Sequence, residues 1–199
     1  AAMLVAAAAL MTLAFQRRVL DRLARVEADV QKVQSGHFDE VTSDAADDVN
    51  PFYSPDLQWL VYQSNRNGNW DLYLLDAATG NEFQLVATSA EDIFPAWSPN
   101  GKYIAYLSNP DGIWNLYVIT VETREIQQIT FSDGNTGNHT WSPEGERIAY
   151  QSTRDGNLDI YTFDMRDGKE YRLTDFAGPD SSPTWDCGGT NIAFTSTRD

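Results

Sequence analysis

Carboxylates recur at a fixed spacing along this chain of 199 residues. Asp48, Asp92 and Asp180 fall in one series with a step of 44 residues, and Thr136 holds the remaining place. Oxygens gathered from successive units could bind a cation such as calcium, or a basic group on a peptide. The same side chains could instead cap the strand or turn that follows. A second series, Asp71, Asn115 and Asp159, lies beside Gly-containing turns. There an Asp or Asn side chain can accept bonds from turn N–H groups, and its recurrence argues for a role in the fold. One stretch breaks the pattern. Thr136-Gly137-Asn138-His139 stands where other units read Asp-x-x-Pro. Loss of Pro frees the backbone, and His139 adds a titratable group. Neutral drift of one unit would give the same departure.

No catalytic set accompanies these residues. The two histidines, His37 and His139, lie in different segments, and there is no G-x-S-x-G elbow. Neither C-x-x-C nor clustered His is present to hold zinc. Cys187 sits in a turn beside Gly188 and Gly189 and reads as a free thiol. The formal net charge is −15, and residues 51–199 hold nine Lys and Arg against twenty-one Asp and Glu, a balance of −12. A surface this acidic repels nucleic acid and suits basic protein partners or cations.

The elements that must position these side chains repeat with the same step. Ser54-Pro55 returns as Ser98-Pro99 and Ser142-Pro143, and Asp186-Cys187 fills the fourth slot. Tyr62, Tyr106, Tyr150 and Phe194 align, as do Ser64, Ser108, Ser152 and Ser196. Each unit reads as four short strands. In the second they are Phe94 to Trp97, Tyr103 to Leu107, Trp114 to Ile119 and Glu125 to Ile129, the first three separated by the turns Ser98-Pro99-Asn100-Gly101 and Asn109-Pro110-Asp111-Gly112. Four strands in 44 residues, without helical periodicity, is the pattern of one propeller blade. The fold expected is therefore an all-β propeller of three blades and part of a fourth. In it Asp48, Asp92, Thr136, Asn138, His139 and Asp180 would sit on loops at the rim of the central channel. Trp97, Trp141 and Trp185 would pack between blades. Propellers close with four to eight blades, so the repeat implies further units past Asp199.

The segment Trp97-Ser98-Pro99-Asn100-Gly101-Lys102-Tyr103-Ile104-Ala105-Tyr106 resembles the W-S-P-D-G-x-x-I-A-F segment of TolB-type propeller repeats. Ser152-Thr153-Arg154-Asp155-Gly156-Asn157-Leu158-Asp159-Ile160-Tyr161 and Tyr171-Arg172-Leu173-Thr174 are similar to two further segments of that family. The resemblance covers 48–199 and departs at Asp56-Leu57, at Asn138-His139 and at Asp186-Cys187-Gly188-Gly189.

The chain divides into a partial transmembrane helix over 1–16, a heptad stalk helix over 17–36, an acidic hinge over 37–49 and the propeller over 50–199. Fourteen of the first fifteen residues are apolar, and Gln16-Arg17-Arg18 follows as a membrane stop. Val19, Leu23, Val26, Val30 and Val33 form a heptad seam suited to dimerisation. With Gly36-His37-Phe38 and Asp47-Asp48-Val49, the stretch 17–49 resembles the first half of a HAMP linker. Arg17, Arg18, Arg22 and Arg25 favour a cytoplasmic flank, whereas the TolB resemblance implies an extracytoplasmic propeller in the periplasm or at the cell surface. The function expected is a membrane-anchored, non-catalytic module that binds a protein or peptide. The alternative is the propeller of a larger enzyme, such as a peptidase of the prolyl oligopeptidase type, or of a membrane-anchored kinase or regulator.

Overall fold

The computed structural model describes residues 46–197. The expected membrane helix and stalk, and most of the hinge, lie outside the described residues. Among the described residues no helix is long and apolar enough to cross a membrane.

Among the described residues, fourteen strands form three four-stranded meanders and one two-stranded hairpin. Blade 1 holds β1 (Asp48–Tyr53), β2 (Trp59–Ser64), β3 (Asp71–Asp76) and β4 (Glu82–Val86). Blade 2 holds β5 (Asp92–Trp97), β6 (Tyr103–Ser108), β7 (Asn115–Thr120) and β8 (Ile126–Gln128). Blade 3 holds β9 (Thr136–Trp141), β10 (Arg147–Ser152), β11 (Asp159–Asp164) and β12 (Lys169–Arg172). β13 (Asp180–Trp185) and β14 (Ile192–Ser196) pair as the start of a fourth. All pairings are antiparallel, as short hairpin connections require. β1 opens at Asp48, so Asp48 and Val49 belong to blade 1 rather than to the acidic hinge.

The Ser-Pro turns explain themselves through hydrogen bonds. Ser98 N donates to Tyr103 O at 2.8 Å, and Tyr103 N donates back to Ser98 Oγ at 2.9 Å. Ser54 with Trp59, and Ser142 with Arg147, close the same ring. In the fourth unit Asp186 takes over: Asn191 N donates to its Oδ1 at 3.0 Å. Gly101, Gly145 and Gly189 have φ of 72°, 71° and 64° in these turns. Leu57 holds the equivalent place with φ of 60°, a conformation that a side chain opposes.

The core lies between blades. One cluster joins Ile104, Tyr106 and Trp97 of blade 2 to Val61, Leu72 and Leu74 of blade 1. A second joins Leu116 and Val118 to Trp141, Ile148 and Tyr150 of blade 3. The tryptophan column packs there as expected. Trp141 Nε1 donates to Ala96 O at 3.1 Å, and Trp185 Nε1 to Thr140 O at 3.3 Å, so each indole ties its blade to the one before. Main-chain bonds add to this: Asp92 N, Thr136 N and Asp180 N donate at 2.7 Å to the carbonyls of Trp70, Trp114 and Leu158 in the preceding blades.

Candidate functional site

The first strand of each blade pairs on one side only, with the second strand of its own sheet. β1 packs beside β5, and β9 beside β13, so these strands converge on the axis. Each carries a bulge. The ladder shifts between Val49 and Phe52, between Ile93 and Ala96, and between Ser181 and Thr184. At the bulge Asn50, Phe94, Asn138 and Ser182, 44 residues apart, take left-handed φ of 53°, 54°, 31° and 54°. None is Gly, so each position stores strain that its surroundings must hold.

Glutamines hold two of them. Gln63, buried in β2, accepts from Phe94 N at 2.7 Å and from Asn50 Nδ2 at 3.0 Å. Gln151 accepts from Ser182 N at 2.9 Å. Leu107 occupies the matching place in blade 2 and offers no oxygen to Asn138. The broken stretch is thus broken twice, in β9 and in the clamp that would face it.

A groove of about 290 Å³ lies along these bulges, lined by residues 50–52, 94–96 and 138–139. Phe52 and Phe94 are 47% and 50% exposed, which places two aromatic faces in solvent beside the amides of Asn50 and Asn138. His139 takes the column of Pro51, Pro95 and Pro183. Its Nε2 is buried without a hydrogen-bond partner, and burial lowers its pKa from the usual value to about 4. At neutral pH it is an uncharged imidazole, and the groove wall carries no formal charge.

Of the six residues expected at the rim, only Asn138 and His139 reach this groove. Asp48, Asp92, Thr136 and Asp180 are each the first residue of a first strand rather than part of the loop before it, and they lie outside the groove lining. Each sits directly across from Ser64, Ser108, Ser152 or Ser196, the serine column. The Asp92 carboxylate is fully buried, accepts from Thr88 Oγ1 at 2.8 Å, and has its pKa raised by burial. Asp48 pairs with Arg66 at 3.1 Å. Among the described residues, no group of three or more His, Cys, Asp and Glu side chains could hold a metal ion.

The second carboxylate series also turns inward. Asp71 accepts from Gln84 Nε2 at 2.8 Å, Asn115 from Thr130 Oγ1 at 2.9 Å, and Asp159 from Arg172 at 2.5 Å. These bonds fasten the outermost strand and the residues after it to the third strand, and Asp71 Oδ1 also accepts from Asn69 Nδ2 of the preceding turn at 3.2 Å. Cys187 is an exposed free thiol, as its turn position implied.

Asn50, Phe52 and Phe94 were missed as site residues. The signal was present: Gln63 and Gln151 share a column that Leu107 interrupts. Spacing alone does not reveal that the glutamine reaches into the next blade.

Four-stranded antiparallel sheets, packed face to face through columns that repeat every 44 residues and converging by their first strands, define a β-propeller. The chain belongs to the TolB beta propeller domain family, whose model matches residues 69–199. Among solved structures it is similar to TolB from Acinetobacter baumannii, with 26% identity, a TM-score of 0.64, and 77% of this chain covered against 38% of that one. A putative TolB from Agrobacterium tumefaciens is 21% identical with a TM-score of 0.61, covering 77% of this chain and 60% of its own. The tricorn protease shares the fold at 19% identity and a TM-score of 0.61, over 73% of this chain and 15% of its own. The chain therefore spans less than two thirds of each of these proteins. Among curated proteins none matches the sequence.

Proposed function

We propose that this propeller is a non-catalytic module that binds an extended protein or peptide segment in its axial groove. The observation that carries the reading is the groove itself. Two exposed phenylalanines stand beside the uncharged amide of Asn50, and the groove extends from them to Asn138-His139, where both the repeat and its glutamine clamp are broken. Aromatic faces bind apolar side chains, and Asn50 and Asn138 can bond a peptide backbone. The acidic balance of the propeller favours a partner that is basic overall. In this reading residues 1–16 anchor the module in a membrane, residues 17–36 hold two copies together, and the propeller stands on the extracytoplasmic side.

A phage-displayed library of ten-residue peptides, panned on the chain, tests the reading. Enriched peptides should lose at least tenfold in affinity for the Phe94→Asn and Asn138→Asp variants. Enriched peptides that bind both variants unchanged would overturn the groove as the site. A second reading makes the propeller part of a larger enzyme, and its support is the short span of this chain within the proteins it resembles. Peptide hydrolysis by the intact polypeptide, absent from residues 46–199 alone, would favour that reading.

A further inference from the structure

The three blade junctions are built on one plan, and one of them lacks a part. At the junction of blades 2 and 3, Tyr103 stacks on Trp141 with ring centres 5.8 Å apart and planes 11° apart. At the next junction Arg147, in the same column as Tyr103, lies over Trp185 at 4.5 Å. The Arg147 guanidinium is held there by Glu144, to whose Oε1 it donates at 2.9 and 2.6 Å, and by the carbonyl of Gly189. A planar group thus closes each of these junctions over the tryptophan column.

The junction of blades 1 and 2 has Trp59 in that column, and its ring turns elsewhere. Trp59 makes a tilted contact with Phe83, at 6.1 Å and 56°. Beside it a cleft of about 290 Å³ opens, lined by Ser54, Pro55, Asp56, Trp59, Trp97 and Asn100, with Gly101 and Val121. Trp97 Nε1 finds no acceptor, unlike its counterparts Trp141 and Trp185. Every element that seats Arg147 has its equivalent here. Asp56 matches Glu144, Trp97 matches Trp185, and Gly101 matches Gly189. Asp56 is exposed, and only its Oδ1 is engaged, by Ser54 Oγ at 2.6 Å and Gln58 N at 3.1 Å.

We infer that this cleft is a binding site for the guanidinium of an arginine side chain on a partner protein. The cation would lie against the half-buried Trp59 indole, above the buried Trp97 at the floor of the cleft, with Asp56 and the Gly101 carbonyl as acceptors, the counterparts of the groups that hold Arg147. Lysine lacks the plane and the fork of donors, so it fits less well. The site shares no residue with the axial groove, and it stands or falls separately.

The test titrates the chain with L-argininamide, L-lysinamide and the capped tripeptide acetyl-Gly-Arg-Gly-amide, reading the indole N–H signals of Trp59 and Trp97 by NMR. Saturable shifts with argininamide and with the tripeptide are expected, at least fivefold tighter than with lysinamide. Asp56→Asn, a surface change that leaves the core intact, should weaken both by at least fivefold. Trp59→Arg should fill the cleft from within and abolish them. Equal shifts with lysinamide, shifts untouched by Asp56→Asn, or binding of argininamide without the tripeptide would each overturn the inference.

Discussion

Gln63 and Phe94 are joined across the first blade junction by a hydrogen bond of 2.7 Å, from the Phe94 amide to the Gln63 side-chain oxygen. The bond sets a left-handed residue in the wall of the axial groove from the neighbouring blade, so groove shape depends on blade contact.

Replacing Gln63 by Leu, the residue that blade 2 carries as Leu107, should leave the Phe94 amide without its acceptor. The bond is half-buried, so its loss should cost about 1 kcal/mol, toward the low end of the range for an unmade buried bond, and the steric fit is already shown by Leu107. Urea denaturation should show a lower midpoint with an unchanged slope. An unaltered midpoint would mean that the strain at Phe94 is carried elsewhere.

Leu57→Gly should stabilise the chain. A non-Gly residue at φ of 60° costs roughly 1–2 kcal/mol, against which glycine loses some unfolded-state entropy and Leu57 some burial. The net expectation is a gain of about 0.5–1 kcal/mol, read as a rise in thermal midpoint. The other units already use Gly at this turn.

His139 sets a pH dependence. Its folded pKa of about 4 lies below the unfolded value near 6.5, so the unfolded chain binds more protons between those limits. Stability is then full above about pH 6.5 and falls as the pH drops toward about 4. His139→Pro, which restores the column of Pro51, Pro95 and Pro183, should flatten that part of the curve. Denaturant midpoints of both proteins between pH 4 and 7 check it, and parallel curves would refute it.

Asp186 should govern a more acidic limb. Backbone N–H groups of Asn191 and Thr190 and the Asn191 side chain hold its carboxyl at about 2, below the ordinary range. A depressed acid contributes stability above its unfolded pKa and loses it as the pH falls through the folded one. Carboxyl NMR should find Asp186 still ionised at pH 3. Asp186→Ser, the residue of the other turns, should remove that titration and keep the turn.

Much of the fold was legible in the sequence because the turns are written in residues with narrow conformational range. Ser54-Pro55 and its repeats marked the blade period, and Tyr62, Tyr106 and Tyr150 marked strands that the structure buries almost completely. The site was less legible. Asp92 and Phe94 are two apart, and in a regular strand they would share a face. The bulge at Phe94 inserts a residue and turns the strand, so Asp92 goes into the sheet and Phe94 into solvent. Repetition showed which residues are equivalent, and it did not show which way they face. The arginine-shaped cleft was hidden for a related reason. Trp59 stands in the column of Tyr103 and Arg147, and its meaning depends on those two covering the tryptophans of their own junctions.

The indole ties described above join residues 45 positions apart, Trp141 to Ala96 and Trp185 to Thr140. With the main-chain bond from Asp92 N to Trp70 O at the first junction, neighbouring blades are coupled in sequence, as spins are coupled in a one-dimensional lattice. Damage in such a molecule decays with distance counted in blades rather than in ångströms. Hydrogen exchange after a cavity-forming change at Leu72 should quicken in blades 1 and 2, while the amides of β11 keep their protection. The axial groove takes one wall from each of blades 1, 2 and 3, so damage in one blade reaches it through that blade's wall and its neighbour's.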